Sequence, residues 1–183
     1  MSRYITKEDF RNAEAIFGTL EGNEHLGECI SIEVPDSQRI LIHGIMMCGA
    51  EHDDIKQCVK DLCERYQPQR VLEVGFGLGF TATQFQEWGI QKHVIVEAHP
   101  HVAVKAREWR EKHPTKDIEI IEKFFQDYLY DEKDYDLIYD DRFEMINRER
   151  EYRDHLLEQG FTFVAPPIPF PCWKVIVDRG KKE

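Results

Sequence analysis

The sequence predicts a doubly wound α/β domain with a mostly parallel sheet, on three observations. Short runs rich in β-branched residues alternate with helical stretches from Glu51 onward. These runs are continuously apolar, as strands covered on both faces must be. A glycine-rich loop joins the first such strand to a helix, and ligands of these sheets sit at the carboxyl ends of the strands.

The elements follow in order. The stretch Ile5 to Leu20 is read as holding a short helix with Phe10, Ala13 and Phe17 on one face. Cys29–Val34 and Arg39–His43 are read as two short strands joined through Pro35-Asp36-Ser37. Glu51–Tyr66 is helical, with Ile55, Val59, Leu62 and Cys63 at helical spacing and Pro68 as the stop. Arg70–Val74 is the first core strand and Thr81–Trp88 its helix. His93–Glu97 and Val102–Lys112 are the next strand and helix. Ile118–Ile121 and Tyr135–Tyr139 are strands, Arg148–Gln159 a helix, and Phe161–Val164 and Trp173–Val177 the closing strands.

A chain of 183 residues suits one domain with a real core. Residues 1–49 are expected to form an arm or lid on an α/β core of residues 50–183. The formal net charge of −11 disfavours a nucleic-acid substrate and an anionic membrane, and it suits a cationic small molecule better. Formation of a homodimer is left open. Cys29, Cys48, Cys58, Cys63 and Cys172 form no C-x-x-C pair and read as free thiols in a reducing cytoplasm. The polar start carries no secretory signal, and no apolar run approaches the ~20 residues of a membrane span.

Glu73-Val74-Gly75-Phe76-Gly77-Leu78-Gly79 is the most informative segment. A dinucleotide fingerprint wants its third glycine where Phe80 stands. The E-x-G-x-G-x-G spacing instead suits a ligand without phosphate, approached by backbone and flanked by an acid, as in methyltransferases that use S-adenosylmethionine. Glu73 is expected to order the loop and to hold the ligand's amino group through water. Glu97, at the end of the second strand, is placed to accept both hydroxyls of a ribose. The plainer account is a tight glycine turn.

From Val71 to Trp109, VLEVGFGLGFTATQFQEWGIQKHVIVEAHPHVAVKAREW, the chain resembles guanidinoacetate methyltransferase and relatives that methylate guanidino groups. The resemblance implies a Rossmann-like class I methyltransferase fold with S-adenosylmethionine as cofactor. It implies cofactor contacts from Met47, Glu73, Gly75, Phe76, Gly77, Leu78, Gly79, Phe80, Glu97, Ala98, His99, Phe125 and Gln126. Phe124-Phe125-Gln126-Asp127 is similar to that family's segment beside the adenine. Asp140 stands at its acceptor-contacting position, and Met46–Glu51 resembles a V-M-x-x-W-E segment in which Glu51 would meet the guanidino group. The chain departs from the family at Ala50 (tryptophan there), at Asp141 (threonine there), and in a shortened C-terminal part.

A nitrogen acceptor must be oriented and must lose a proton, which is work for carboxylates. Asp140 and Glu51 are therefore the candidate catalytic residues. A helix N-cap at Asp140-Asp141 and a first-turn acid at Glu51 are the structural alternatives. His99-Pro100-His101 is read as loop lying along the cofactor, with no metal site expected. Ala165–Pro171 is read as a stiff strap. Asp131–Asp134 and Asn147–Asp154 are read as solvated surface. The expected function is methyl transfer from S-adenosylmethionine to a nitrogen of a small amine or guanidino compound. The alternatives are a methyltransferase for oxygen or for a protein side chain, and a binding module without turnover.

Overall fold

The computed structural model describes residues 7–19, 21, 24–33, 44–114, 116–128, 134–140, 162–164 and 174–176. The expected strand at Arg39–His43, the helix at Arg148–Gln159, the proline strap, Asp141, Cys172 and most of both charged stretches lie outside these residues.

The core is one six-stranded sheet. It contains β4 (Arg70–Val74), β5 (Lys92–Glu97), β6 (Asp117–Glu122), β7 (Leu137–Asp140), β8 (Thr162–Val164) and β9 (Lys174–Ile176), in the order β6-β5-β4-β7-β9-β8. The first four are mutually parallel, and β9 runs antiparallel between β7 and β8. Strand order reverses between β4 and β7, so the crevice of this doubly wound sheet opens above their carboxyl ends.

Side-chain alternation explains why the strand sequences are apolar throughout. Val71, Leu137 and Tyr139 face α2 (His52–Tyr66) and Phe85 of α3 (Phe80–Trp88). Leu72, Val74, Val94, Val96 and Ile138 face the other way, onto Phe125 and Tyr135. Both faces are buried, so neither can carry solvent-facing polar residues. Helix α2 is amphipathic, with Ile55, Cys58, Val59, Leu62 and Cys63 inward. It ends at Gln67, which takes the left-handed conformation (φ +46°) just before Pro68. Helix α4 (Pro100–Glu111) starts with proline in its first turn, where the missing N–H costs nothing.

The N-terminal segment differs from its expectation. A helix covers only α1 (Lys7–Asn12), and Glu14–Thr19 is strand β1. This strand pairs antiparallel with β2 (Glu28–Glu33), which pairs in turn with β3 (Gly44–Cys48). Six cross-strand partners outweigh a helix that Gly18 would weaken and that is too short to persist alone. Phe10, Ala13 and Phe17 still share one surface. With Ile30 and Ile32 they pack against Phe76, Ile95, Val102 and Ala106. No helix among the described residues is long and apolar enough to cross a membrane.

Candidate functional site

The loop after β4 is built on glycine conformations. Gly75, Gly77 and Gly79 have φ of +87°, +56° and +78°, a region other residues enter only at a cost. Gly75 N–H donates to the Val96 carbonyl at 2.8 Å, and Gly79 N–H to the Phe76 carbonyl at 2.9 Å. The Gly79 carbonyl in turn accepts from the Thr83 hydroxyl at 2.7 Å. The path is tight: a β-carbon at position 79 would lie 2.6 Å from Cζ of Phe76. The Phe76 side chain is itself core, against Trp109, which leaves its backbone to the crevice. Gly77, Leu78 and Phe80 are half-buried around the turn.

Glu97 closes this loop. Its carboxylate accepts Phe76 N–H and His99 N–H, each at 2.8 Å. Burial pushes its carboxyl above the ordinary range, opposed by backbone N–H groups of Phe76, His99, Ala98 and Gly77. The acid thus stitches the glycine loop to the turn after β5, an ordering role the sequence does not disclose.

Glu73 is buried in the sheet, where its Oε2 meets His93 Nε2 at 2.8 Å. His99 is also fully buried. Its Nε2 meets the Ala13 carbonyl at 3.0 Å and its ring packs edge-on to Phe10, so the side chain faces the N-terminal segment. Phe125 is in the core, and Gln126 is exposed beside it in the 3-10 turn Phe125–Asp127. Lys7 of α1 holds Asp127 through both carboxylate oxygens at 2.7 Å and lies over the Phe124 ring. That docking of the arm on the segment after β6 has no counterpart in the sequence pattern.

On the acceptor side, Asp140 ends β7 directly beside Val74, the residue before Gly75, and is 6% exposed. Glu51 ends a 3-10 turn (Gly49–Glu51), and its carboxylate is turned back to accept Cys48 N–H at 3.3 Å. The next residue, His52, packs its ring edge-on to Phe80 at 5.0 Å and so brings this segment to the glycine loop. Met47 is placed by its backbone in β3, opposite Ile30. The fold therefore brings the glycine loop, Glu97, Asp140 and the Met47–His52 segment together, and sends Glu73 and the His99 ring inward.

Two buried histidines make stability depend on pH. Burial pushes His93 down to about 3. Burial also lowers His99, opposed by the hydrogen bond its ring N–H donates to the Ala13 carbonyl. The unfolded chain binds protons on both below about pH 6.5, and the folded chain resists. Stability is therefore complete above about pH 6.5 and is lost as the pH falls from there toward the folded values. The slope is up to about 1.4 kcal/mol per pH unit for each histidine. Glu97, pushed upward, acts in the opposite sense and softens the loss. Melting temperatures measured between about pH 7.5 and 5 should fall on acidification, less steeply in His99→Gln. Equal slopes would remove His99 from this account.

The residue types of this loop fit an adenosyl ligand without phosphate. The loop from Gly75 to Phe80 carries no lysine or arginine, its backbone turns on three positive-φ glycines, and an acid stands at the end of the neighbouring strand. The model of the guanidinoacetate N-methyltransferase family matches residues 60–160. The SAH-bound methyltransferase PaMTH1 of Podospora anserina is similar at 23% identity and TM-score 0.45, over 57% of this chain and 46% of that one. The YcgJ protein of Bacillus subtilis is similar at 21% identity and TM-score 0.41, over 48% of this chain and 36% of that one. The chain thus spans about half or less of the length of these two structures. The family match covers more than half of the chain and includes the glycine loop, Glu97 and Asp140, so the chain belongs to the guanidinoacetate N-methyltransferase family of class I S-adenosylmethionine-dependent methyltransferases.

Proposed function

We propose that the chain transfers a methyl group from S-adenosylmethionine to a nitrogen of a small amine or guanidino compound. The observation that carries this is the register of β4 and β7. It sets the buried carboxylate of Asp140 beside the last residue before the glycine loop. When bound, the cofactor supplies a methyl group already activated on sulfonium. The protein's work is then largely positioning. The backbone from Gly75 to Phe80 and that of Ala98 and His99 line the nucleoside. Glu97 takes the ribose, Phe125 and Gln126 flank the adenine, and Met47 closes from β3. Glu73 acts from beneath the loop. Asp140 orients a cationic nitrogen and accepts its proton, and Glu51 supplies a second carboxylate once it leaves the Cys48 N–H.

Glu97→Ala is expected to weaken cofactor binding by about 1.5–3 kcal/mol, the usual worth of charge-assisted hydrogen bonds. Glu97→Asp should lose less. Calorimetry with S-adenosylhomocysteine measures both, and a 2′-deoxy analogue bound as tightly as the parent would remove the ribose role.

The function itself is tested by calorimetry with S-adenosylmethionine, followed by a methyl-transfer assay over amines, guanidines, hydroxyl acceptors and peptides. Transfer to a nitrogen of a small molecule supports the proposal. Transfer only to oxygen or to a peptide replaces it. Binding without transfer favours a binding module, a second reading that rests on Glu51 being folded back onto Cys48 and on Ala50 in place of a bulky closing side chain.

A further inference from the structure

Two polar side chains lie in the middle of the sheet, beneath the glycine loop. Glu73 on β4 is 1% exposed and His93 on β5 is fully buried. They meet at 2.8 Å through Glu73 Oε2 and His93 Nε2. The other ring nitrogen, Nδ1, faces the Gln86 side-chain nitrogen of α3 at 3.1 Å. A neutral imidazole has one donor and one acceptor nitrogen. Here Nε2–H donates to the carboxylate and Nδ1 accepts from the Gln86 amide. The rings of Phe85 and Trp109 pack edge-on to the imidazole. Trp109 also donates its indole N–H to the Thr83 hydroxyl at 3.1 Å, the same hydroxyl that donates to the Gly79 carbonyl.

Stability is a poor reason for such a pair. Desolvating a carboxylate and an imidazole costs more than packing two aliphatic side chains in the same place, and buried polar pairs are often improved by apolar replacement. The neighbouring strand residues Val94, Ile95 and Val96 are all aliphatic. What is particular about the pair is its place. Glu73 lies two residues before Gly75, where the backbone leaves the sheet. The second network, through Thr83, holds the loop at Gly79. Both ends of the turn are thereby tied by side-chain hydrogen bonds to α3, β5 and α4.

We propose that His93 is a positioning residue for the cofactor loop: by donating to Glu73 it holds the backbone from Gly75 to Gly79 in the shape that receives the nucleoside. This rests on the cofactor reading given above, and the experiment separates the two. Binding of S-adenosylhomocysteine is measured by calorimetry for the parent, His93→Phe, His93→Gln and the double variant Glu73→Leu/His93→Leu. His93→Phe keeps the ring packing but removes the donor, and affinity falls by roughly 10- to 100-fold, the worth of one charge-assisted hydrogen bond. His93→Gln retains an N–H donor and recovers most of the loss. The double variant melts at or above the parental temperature and still binds weakly, because the core is content without the pair and the loop is not.

A role confined to the core predicts parental affinity for the double variant, whatever its melting temperature. That result overturns the proposal while leaving the cofactor in place. A parent that binds no S-adenosylhomocysteine overturns the cofactor reading and this proposal with it. Nitrogen NMR of the unaltered protein keeps the test open if the variants fold poorly. His93 should be the Nε2–H tautomer, with ring signals that shift when S-adenosylhomocysteine is added. Signals that stay in place during a saturable titration overturn the proposal as well.

Discussion

Replacing Asp140 by asparagine is expected to lower the single-turnover rate of methyl transfer by roughly 10²–10⁴-fold, the loss typical of a missing general base. Asparagine keeps the shape of the side chain and removes the charge and the proton-accepting oxygen. Cofactor affinity should change little, because the glycine loop and Glu97 lie on β4 and β5 while Asp140 ends β7. The alternative role, capping a following helix, makes a different prediction. Asparagine caps about as well as aspartate, so the rate and the melting temperature would both survive. The rate and melting temperature of Asp140→Asn, measured together, therefore decide its role. A parental rate would leave the acceptor site without its principal carboxylate and would remove the main support for a nitrogen acceptor.

The second large effect is at the glycine loop, where two substitutions should separate binding from folding. Gly77 is half-buried with φ +56°. A β-branched residue there meets a conformational cost of about 1–2 kcal/mol and places methyl groups where the backbone must approach the ligand. Gly77→Val should therefore abolish detectable cofactor binding and leave a folded protein with a modestly lower melting temperature. Gly79→Val should damage the fold itself. Its φ of +78° carries the same cost, and its β-carbon would press into the buried Phe76 ring at 2.6 Å. That ring is held by Trp109 and cannot yield freely. Overpacking of this kind adds about 1–3 kcal/mol. Thermal melts and calorimetry on both variants provide the check. Unchanged cofactor affinity in Gly77→Val would refute the placement of the ligand. Equal stability of the two variants would refute the role assigned to the Phe76 contact.

Much of the core was legible because its signals are local. Arg70–Val74 follows from a β-branched run bounded by a proline upstream and glycines downstream, and the structure places β4 on those residues. Helix α2 follows from helical periodicity and its stop at Pro68, and α3 and α4 follow from the alternation of strands with helices, all with ends within two residues of the expected ones. The glycine loop and the acid after β5 are recognisable because positive φ and a strand-end carboxylate each require particular residue types. Family membership rests on the same segment, since the matched region contains it.

The tertiary structure decided what depends on partners distant in sequence. Phe10, Ala13 and Phe17 fit a helical face, yet Glu14–Thr19 is a strand, because its pairing with Glu28–Glu33 outweighs local preference. Glu73 carries the motif's acid, but strand alternation places it on the same sheet face as His93, twenty residues away, and the two satisfy each other in the core. The hint lay in two polar residues within otherwise aliphatic buried strands, each of which needs a partner. Glu97 was recognisable as a candidate ribose ligand. That it also gathers Phe76 N–H and His99 N–H follows only from the side-by-side placement of β4 and β5. Residue type and short-range spacing determined the elements and the loop. The direction each polar side chain takes was decided by sheet register, since a buried donor or acceptor turns to whichever partner the neighbouring strand supplies.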